Sequence, residues 1–114
     1  LSDTIGVSNE ENISSLFTTL IPEFEEVEFG AHLHTTPSTW QEKIKASIES
    51  GCKRFDGAIK GYGGCPMAAD ELTGNMPTEK MVSYFSKHQV ETGINHSNFL
   101  DSMKKSSEIF NNFH

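Results

Sequence analysis

Apolar and polar positions along the chain follow a repeating rhythm: a short extended run, then a stretch with apolar residues at helical spacing. Residues 1–6 (Leu-Ser-Asp-Thr-Ile-Gly) read as the end of a strand and its exit turn. Ser8, with Glu11 three residues on, predicts a capping box, and Ile13, Leu16, Phe17 and Leu20 follow on one helical face until Pro22 is expected to end the helix. Residues 27–33 read as a second strand. Thr36 is expected to cap a helix opened by Pro37, with Trp40, Ile44 and Ile48 as its apolar stripe and Gly51 as its stop. Residues 52–59 read as a third strand, followed by a long loop over residues 60–76. Pro77 then starts a helix with Met81, Val82 and Phe85 on its apolar side. A last helix is predicted over residues 97–111 with Phe99, Leu100, Met103 and Phe110 inward.

Strands alternating with helices predict parallel βα units in an α/β fold. Three such strands make a poor free-standing domain, and a closed (βα)8 barrel takes about 250 residues. The pattern alone leaves two readings for these 114 residues: a small open sheet, or three βα units of a barrel.

Composition narrows the functions. The net charge of −7 argues against nucleic acid and anionic membranes, both of which attract Lys/Arg patches. No apolar run approaches the roughly 18 residues of a membrane span. Two cysteines, Cys52 and Cys65, are too few for a disulfide scaffold, so a cytoplasmic compartment or an organelle matrix is expected. The chain opens on Leu1 rather than Met, which suggests a truncated start.

The candidate chemistry sits at strand ends. His32 and His34 are two apart in a strand, so both imidazoles face one side, near the end where α/β folds bind ligands. Two imidazoles on one face suit a divalent metal; the plain alternative is a pair of exposed strand-edge histidines. In Gly61-Tyr62-Gly63-Gly64-Cys65-Pro66, three glycines permit tight turns beside a cysteine suited to acid–base or nucleophilic work. The alternative is a flexible surface loop. Asn75 offers a hard oxygen ligand or a simple turn, and Glu79 suits the start of a helix in any case. Asp3 lies at a strand's C-terminal end. Asp56, mid-strand, reads equally well as a buried structural carboxylate, and Cys52 as a small core residue. His88, His96 and His114 read as surface residues.

Together, Asp3-Thr4-Ile5-Gly6, His32-Leu33-His34, the Gly61–Pro66 run and Gly74-Asn75-Met76-Pro77-Thr78-Glu79 resemble the hydroxymethylglutaryl-CoA lyase family, in order and spacing along nearly the whole chain. The resemblance implies a TIM barrel of the metal-dependent lyase and synthase superfamily. This chain, residues 1–114, would be its C-terminal fragment: the last three βα units, an incomplete barrel. It implies cleavage of a 3-hydroxy-3-methylglutaryl thioester to acetyl-CoA and acetoacetate with Mg²⁺ or Mn²⁺. It makes His32, His34 and Asn75 metal ligands, Cys65 and His32 catalytic, and Asp3 and Glu79 acidic active-site positions. Gly61, Gly63 and Gly64 become a flexible loop that closes over an acyl-CoA substrate.

Thr35 stands where the family usually has an acidic residue, and Lys60 where it has a small one. The family's metal-binding Asp on the first barrel strand has no counterpart here. These residues alone are therefore expected to be inactive, and an incomplete barrel with open edges is expected to form homo-oligomers. A superfamily aldolase or condensing synthase is one alternative. A zinc-binding or interaction module using His32, His34, Cys52 and Cys65 is another.

Overall fold

The computed structural model describes residues 1–63 and 74–111. In chain order it contains β1 (Ser2–Asp3), α1 (Glu10–Glu23), β2 (Gly30–Thr35), α2 (Trp40–Glu49) and β3 (Arg54–Asp56). A 3-10 turn over Ile59–Gly61 follows, then β4 (Gly74–Asn75), α3 (Thr78–Lys87) and α4 (His96–Asn111). The chain divides into two compact units, Leu1–Met81 and Val82–His114. No helix among the described residues is long and apolar enough to cross a membrane.

The first unit is built on an open parallel sheet in the order β1-β2-β3. Ser2 pairs with His32 and Asp3 with Leu33, while Gly30, Ala31 and His32 pair with Arg54, Phe55 and Asp56. Each pair of strands is joined through a helix, and α1 and α2 pack against each other. Ile13 and Phe17 of α1, Ala31 and Leu33 of β2, and Ile44 and Ala46 of α2 are buried. Burying side chains of that size removes about 1.5–3 kcal/mol each of unfavourable hydration for the larger ones.

Several local expectations are corrected. Ser8 does not cap α1, because its hydroxyl donates to the Asp3 carboxylate. Asn9 takes that role: its side chain accepts from the Asn12 N–H at 2.9 Å, and its own N–H donates to the Asn12 Oδ1 at 2.8 Å. Pro22 lies inside α1 and not at its end, yet only one residue before it stops; the Phe24 N–H closes the last turn on the Leu20 carbonyl at 3.1 Å. Leu16, expected inward, is 50% exposed. Thr36 and Pro37 form a turn before α2 and not its first residues: the Thr36 N–H donates to the Thr39 hydroxyl at 2.8 Å, and the helix starts at Trp40. The stop at Gly51 stands, with a left-handed φ of 97°.

The third strand is shorter than residues 52–59. Beyond Asp56, Ala58 donates its N–H to the Met76 carbonyl and accepts from Thr78, each at 2.9 Å. The end of the expected loop over residues 60–76 is itself a strand: β4 pairs antiparallel with β2, Asn75 opposite His34 and Gly74 opposite Thr35.

In the second unit, Val82, Tyr84 and Phe85 are buried, and the Tyr84 and His88 rings lie 4.2 Å apart. Along α4, Phe99 and Met103 are half-buried. Leu100 and Phe110, expected inward, are exposed.

Candidate functional site

The site grows from the pleat of β2. Ala31 and Leu33 turn into the packed interior, so His32 and His34 turn the other way, their ring centres 5.6 Å apart. Each ring is anchored through its Nδ1. In the parallel register Asp56 is the partner of His32, and its carboxylate meets the His32 Nδ1 at 3.2 Å. The His34 Nδ1 lies 3.0 Å from the backbone carbonyl of Asp3. A carbonyl oxygen only accepts, so the His34 Nδ1 carries the proton; a carboxylate does the same for His32. Both rings therefore present a basic Nε2, with the carbonyl and carboxylate anchors that metal-binding imidazoles ordinarily have.

Asn75 joins this face from β4. Directly opposed residues of an antiparallel pair share a face, and Asn75 opposes His34. Its Nδ2 donates to the Tyr62 carbonyl at 2.8 Å. That bond fixes the amide and leaves Oδ1 as the atom with ligand character.

Around Asn75 lies a cleft of about 200 Å³ lined by Thr35, Thr36, Lys60, Gly61, Asn75 and Glu79, among others. Its floor is unusually close-packed backbone. Lys60 has a left-handed φ of 58°, rare for a residue with a side chain, and its N–H donates to the Glu79 carboxylate at 2.8 Å. Glu79, half-buried in the first turn of α3, thus pins the root of the Gly-rich segment. Gly61 and Gly63 follow with φ of 69° and 83°. Gly74 has no room for a side chain, since a Cβ there would sit 2.6 Å from the Gly61 carbonyl oxygen.

Asp3 sits at the base of the site, but its carboxylate is fully engaged. Oδ1 accepts the His34 backbone N–H at 2.5 Å, and Oδ2 accepts from Lys43 at 2.9 Å and from Ser8. Lys43, on α2, is only 1% exposed. Its ammonium also donates to the His34 carbonyl at 2.7 Å and the Gly6 carbonyl at 3.3 Å, so all three protons have acceptors. Removing one partner of such a buried pair costs about 3–5 kcal/mol.

The structure thus brings His32, His34 and Asn75 onto one face, places Asp3 behind His34, and sets Glu79 beside the Gly-rich root. Gly64, Cys65 and His114 lie outside the described residues. Of the two readings left open for Asp56, the buried structural one does not hold: its carboxylate is exposed and meets His32. Cys52 is buried, as its pattern implied: its thiol lies 3.2 Å from the Arg54 carbonyl, and burial pushes its pKa above the ordinary 9.0. Cys52 precedes the Arg54 end of β3, whereas His32 pairs with Asp56 at the other end, so Cys52 lies away from the two imidazoles. Lys43 escaped sequence reading. The signal was present: with Ser47 it falls on the same helical stripe as Trp40, Ile44 and Ile48, a polar pair at core positions.

The residues pass a simple test for a divalent cation. An ion about 2.1 Å beyond each Nε2 would lie roughly 3 Å from each ring centre, so a 5.6 Å separation lets one ion reach both. The donors are few and neutral. Among the described residues, no group of three or more His, Cys, Asp or Glu side chains converges to hold a metal.

Comparisons place this geometry among known proteins. A family model described as HMGL-like matches residues 1–105. The (R)-citramalyl-CoA lyase of Chloroflexus aurantiacus is 34% identical over 94 residues, covering 82% of this chain and 29% of that protein. The hydroxymethylglutaryl-CoA lyase of Bacillus subtilis is 29% identical over 104 residues, covering 91% and 34%. The crystal structure of the B. subtilis HMG-CoA lyase matches with a TM-score of 0.82 at 29% identity, over 95% of this chain and 36% of that one. An HMG-CoA lyase from Acinetobacter baumannii in complex with coenzyme A and 3-methylmalate matches with a TM-score of 0.82 at 26% identity, over 95% and 35%. The chain spans about a third of the length of the curated relatives it matches.

Proposed function

Since the chain belongs to the HMGL-like family, we propose that it supplies the metal-binding and substrate-closing part of a carbon–carbon lyase acting on a 3-hydroxy-3-methylglutaryl thioester. The observation that carries this reading is the pair of imidazoles anchored through Nδ1, with Asn75 on the same face. Together with the family it favours a divalent cation, Mg²⁺ or Mn²⁺, held by His32 and His34 Nε2 and Asn75 Oδ1.

When bound, the cation would polarise the substrate's 3-hydroxyl and lower its pKa. Asp56 and the Asp3 carbonyl keep the His32 and His34 rings in one tautomer, and Asn75 and Glu79 fix the root of the Gly-rich segment. With its Nε2 on the cation and its Nδ1–H on Asp56, the His32 ring keeps no free lone pair, so it would assist catalysis through the cation, and the hydroxyl proton goes to a base beyond these residues. Loss of that proton breaks the C2–C3 bond and yields acetoacetate. The electron pair stays on the thioester carbon, and Cys65 is the proton donor we assign to it, giving acetyl-CoA.

Two imidazoles and one amide bring no negative charge, so they hold a hard cation weakly without a further carboxylate. We therefore expect the 114 residues alone to release no acetyl-CoA, and the open sheet edges to favour self-assembly. A reducing compartment, cytoplasmic or matrix, suits the unpaired Cys52.

A second acyl group has support of its own: the 34% identity to a citramalyl-CoA lyase. Cleavage of that thioester gives pyruvate in place of acetoacetate. The test is turnover of both thioesters by a complete barrel carrying these residues, with the ketone product identified. Chelation, His34→Ala and Cys65→Ala should each lower acetyl-CoA release by about a hundredfold or more. Release untouched by chelation and by His34→Ala would refute the proposal. Full activity in Cys65→Ala alone would point to an aldolase or synthase.

A further inference from the structure

Lys43 lies one layer behind the face that carries the imidazoles, and its contacts have a common object. Its ammonium donates to the Asp3 Oδ2 at 2.9 Å and to the His34 carbonyl at 2.7 Å. Asp3 and His34 are also joined to each other twice: the His34 N–H donates to the Asp3 Oδ1 at 2.5 Å, and the His34 Nδ1–H to the Asp3 carbonyl at 3.0 Å. The third Lys43 proton goes to the Gly6 carbonyl at 3.3 Å, on the exit turn of β1. One buried cation therefore ties α2 to the ends of both β1 and β2, at the residue pair that sets the His34 ring.

The Asp3 Oδ1 is 3.8 Å from the His34 Nδ1, and Lys43 holds this carboxylate on its other oxygen. With Lys43 absent, the two strand ends lose their common anchor, the Asp3 carbonyl and the His34 ring are free to part, and the contact that holds the proton on Nδ1 is no longer enforced. His32 is an internal comparison. Its Nδ1 is held by Asp56, exposed and on β3, and Lys43 touches neither residue.

From this arrangement we infer that Lys43 is a positioning residue: it fixes His34 as the Nδ1–H tautomer, with Nε2 turned to the site. The metal-ligand role of that Nε2 rests on the function proposed above; the tautomer itself does not. All three contacts of Lys43 are to Asp3, His34 and Gly6, so it acts only through them.

The experiment is ¹⁵N NMR of the histidine ring nitrogens in the full 114-residue chain, comparing wild type with Lys43→Met. In wild type both His32 and His34 should show the Nδ1–H form. In Lys43→Met, the His34 nitrogens should move toward values averaged over both tautomers, while the His32 nitrogens stay in place. If Lys43→Met fails to fold, Lys43→Arg serves: it keeps the charge, but a planar guanidinium cannot reach the same three acceptors, and the same selective change is expected. An unchanged His34 signal in a folded variant overturns the proposal, and so does an equal change in both rings, which marks general loosening. Mn²⁺ added to wild type reads the other question separately. Broadening of both ring signals supports the metal site. Its absence counts against that site while the tautomer comparison still decides the role of Lys43.

Discussion

Gly74→Ala probes the site without touching a functional group. The new Cβ would lie 2.6 Å from the Gly61 carbonyl oxygen and 3.3 Å from that of Gly63. Ordinary contact starts near 3.4 Å, so the two segments must part by 3.4 − 2.6 = 0.8 Å. Neither side yields easily, because the obstacle is backbone. Gly61 is fixed by its N–H on the Ala58 carbonyl at 2.9 Å, and Lys60 before it by Glu79 at 2.8 Å. Gly74 is fixed by pairing with Thr35. Either β4 lifts from β2 or the turn opens. Overpacking of this kind costs about 1–3 kcal/mol. The movement also carries Asn75, one residue on, away from His34, and a misplacement near 1 Å costs about a hundredfold in rate. Urea denaturation should show the lowered midpoint at constant slope, and thioester cleavage in a complete barrel should show the rate loss. Gly93→Ala is the comparison: φ is 74° there but nothing lies within 4 Å, so strain of about 1 kcal/mol and no rate loss are expected. A Gly74→Ala variant within about 0.5 kcal/mol and twofold in rate of wild type would refute the close-packing argument.

Asp56→Asn should weaken Mn²⁺ binding by about 10–100-fold through the loss of the carboxylate on His32. Because Asp56 is exposed, stability should move by less than about 0.5 kcal/mol; metal titration beside urea denaturation checks both, and unchanged affinity would remove Asp56 from the site. Burial raises the Cys52 thiol pKa, so the folded chain keeps a proton that the unfolded chain releases above about pH 9. Stability should therefore fall as pH rises past that point. The difference between wild type and Cys52→Ala, followed by denaturation from about pH 8 to 10.5, should show it; a flat difference would refute the assignment.

Much of the fold was legible because periodicity reports burial. The strand–helix rhythm, the shared face of His32 and His34, and the stop at Gly51 all follow from local geometry. What escaped depends on partners distant in sequence. Gly74 and Asn75 have no apolar run to mark a strand; they pair only because β2 offers Thr35 and His34 nearly forty residues earlier. Lys43 stands at a core position of its helical stripe, but its partners, Asp3 and two carbonyls, are visible only in the fold. Ser8 lost its capping role to the same carboxylate, and Asp56 gained a role through its register with His32. In α4, apolar spacing at Leu100 and Phe110 signalled burial where none is found in the described structure.

The pinning of Lys60 by Glu79, and of Tyr62 by Asn75, has a consequence for redesign. The root of the Gly-rich segment and the entry to α3 form one inheritable cassette, separated in the chain yet riveted by two hydrogen bonds. Transplanting residues 60–63 into another scaffold without Asn75 and Glu79 would discard both bonds that hold their backbone in shape.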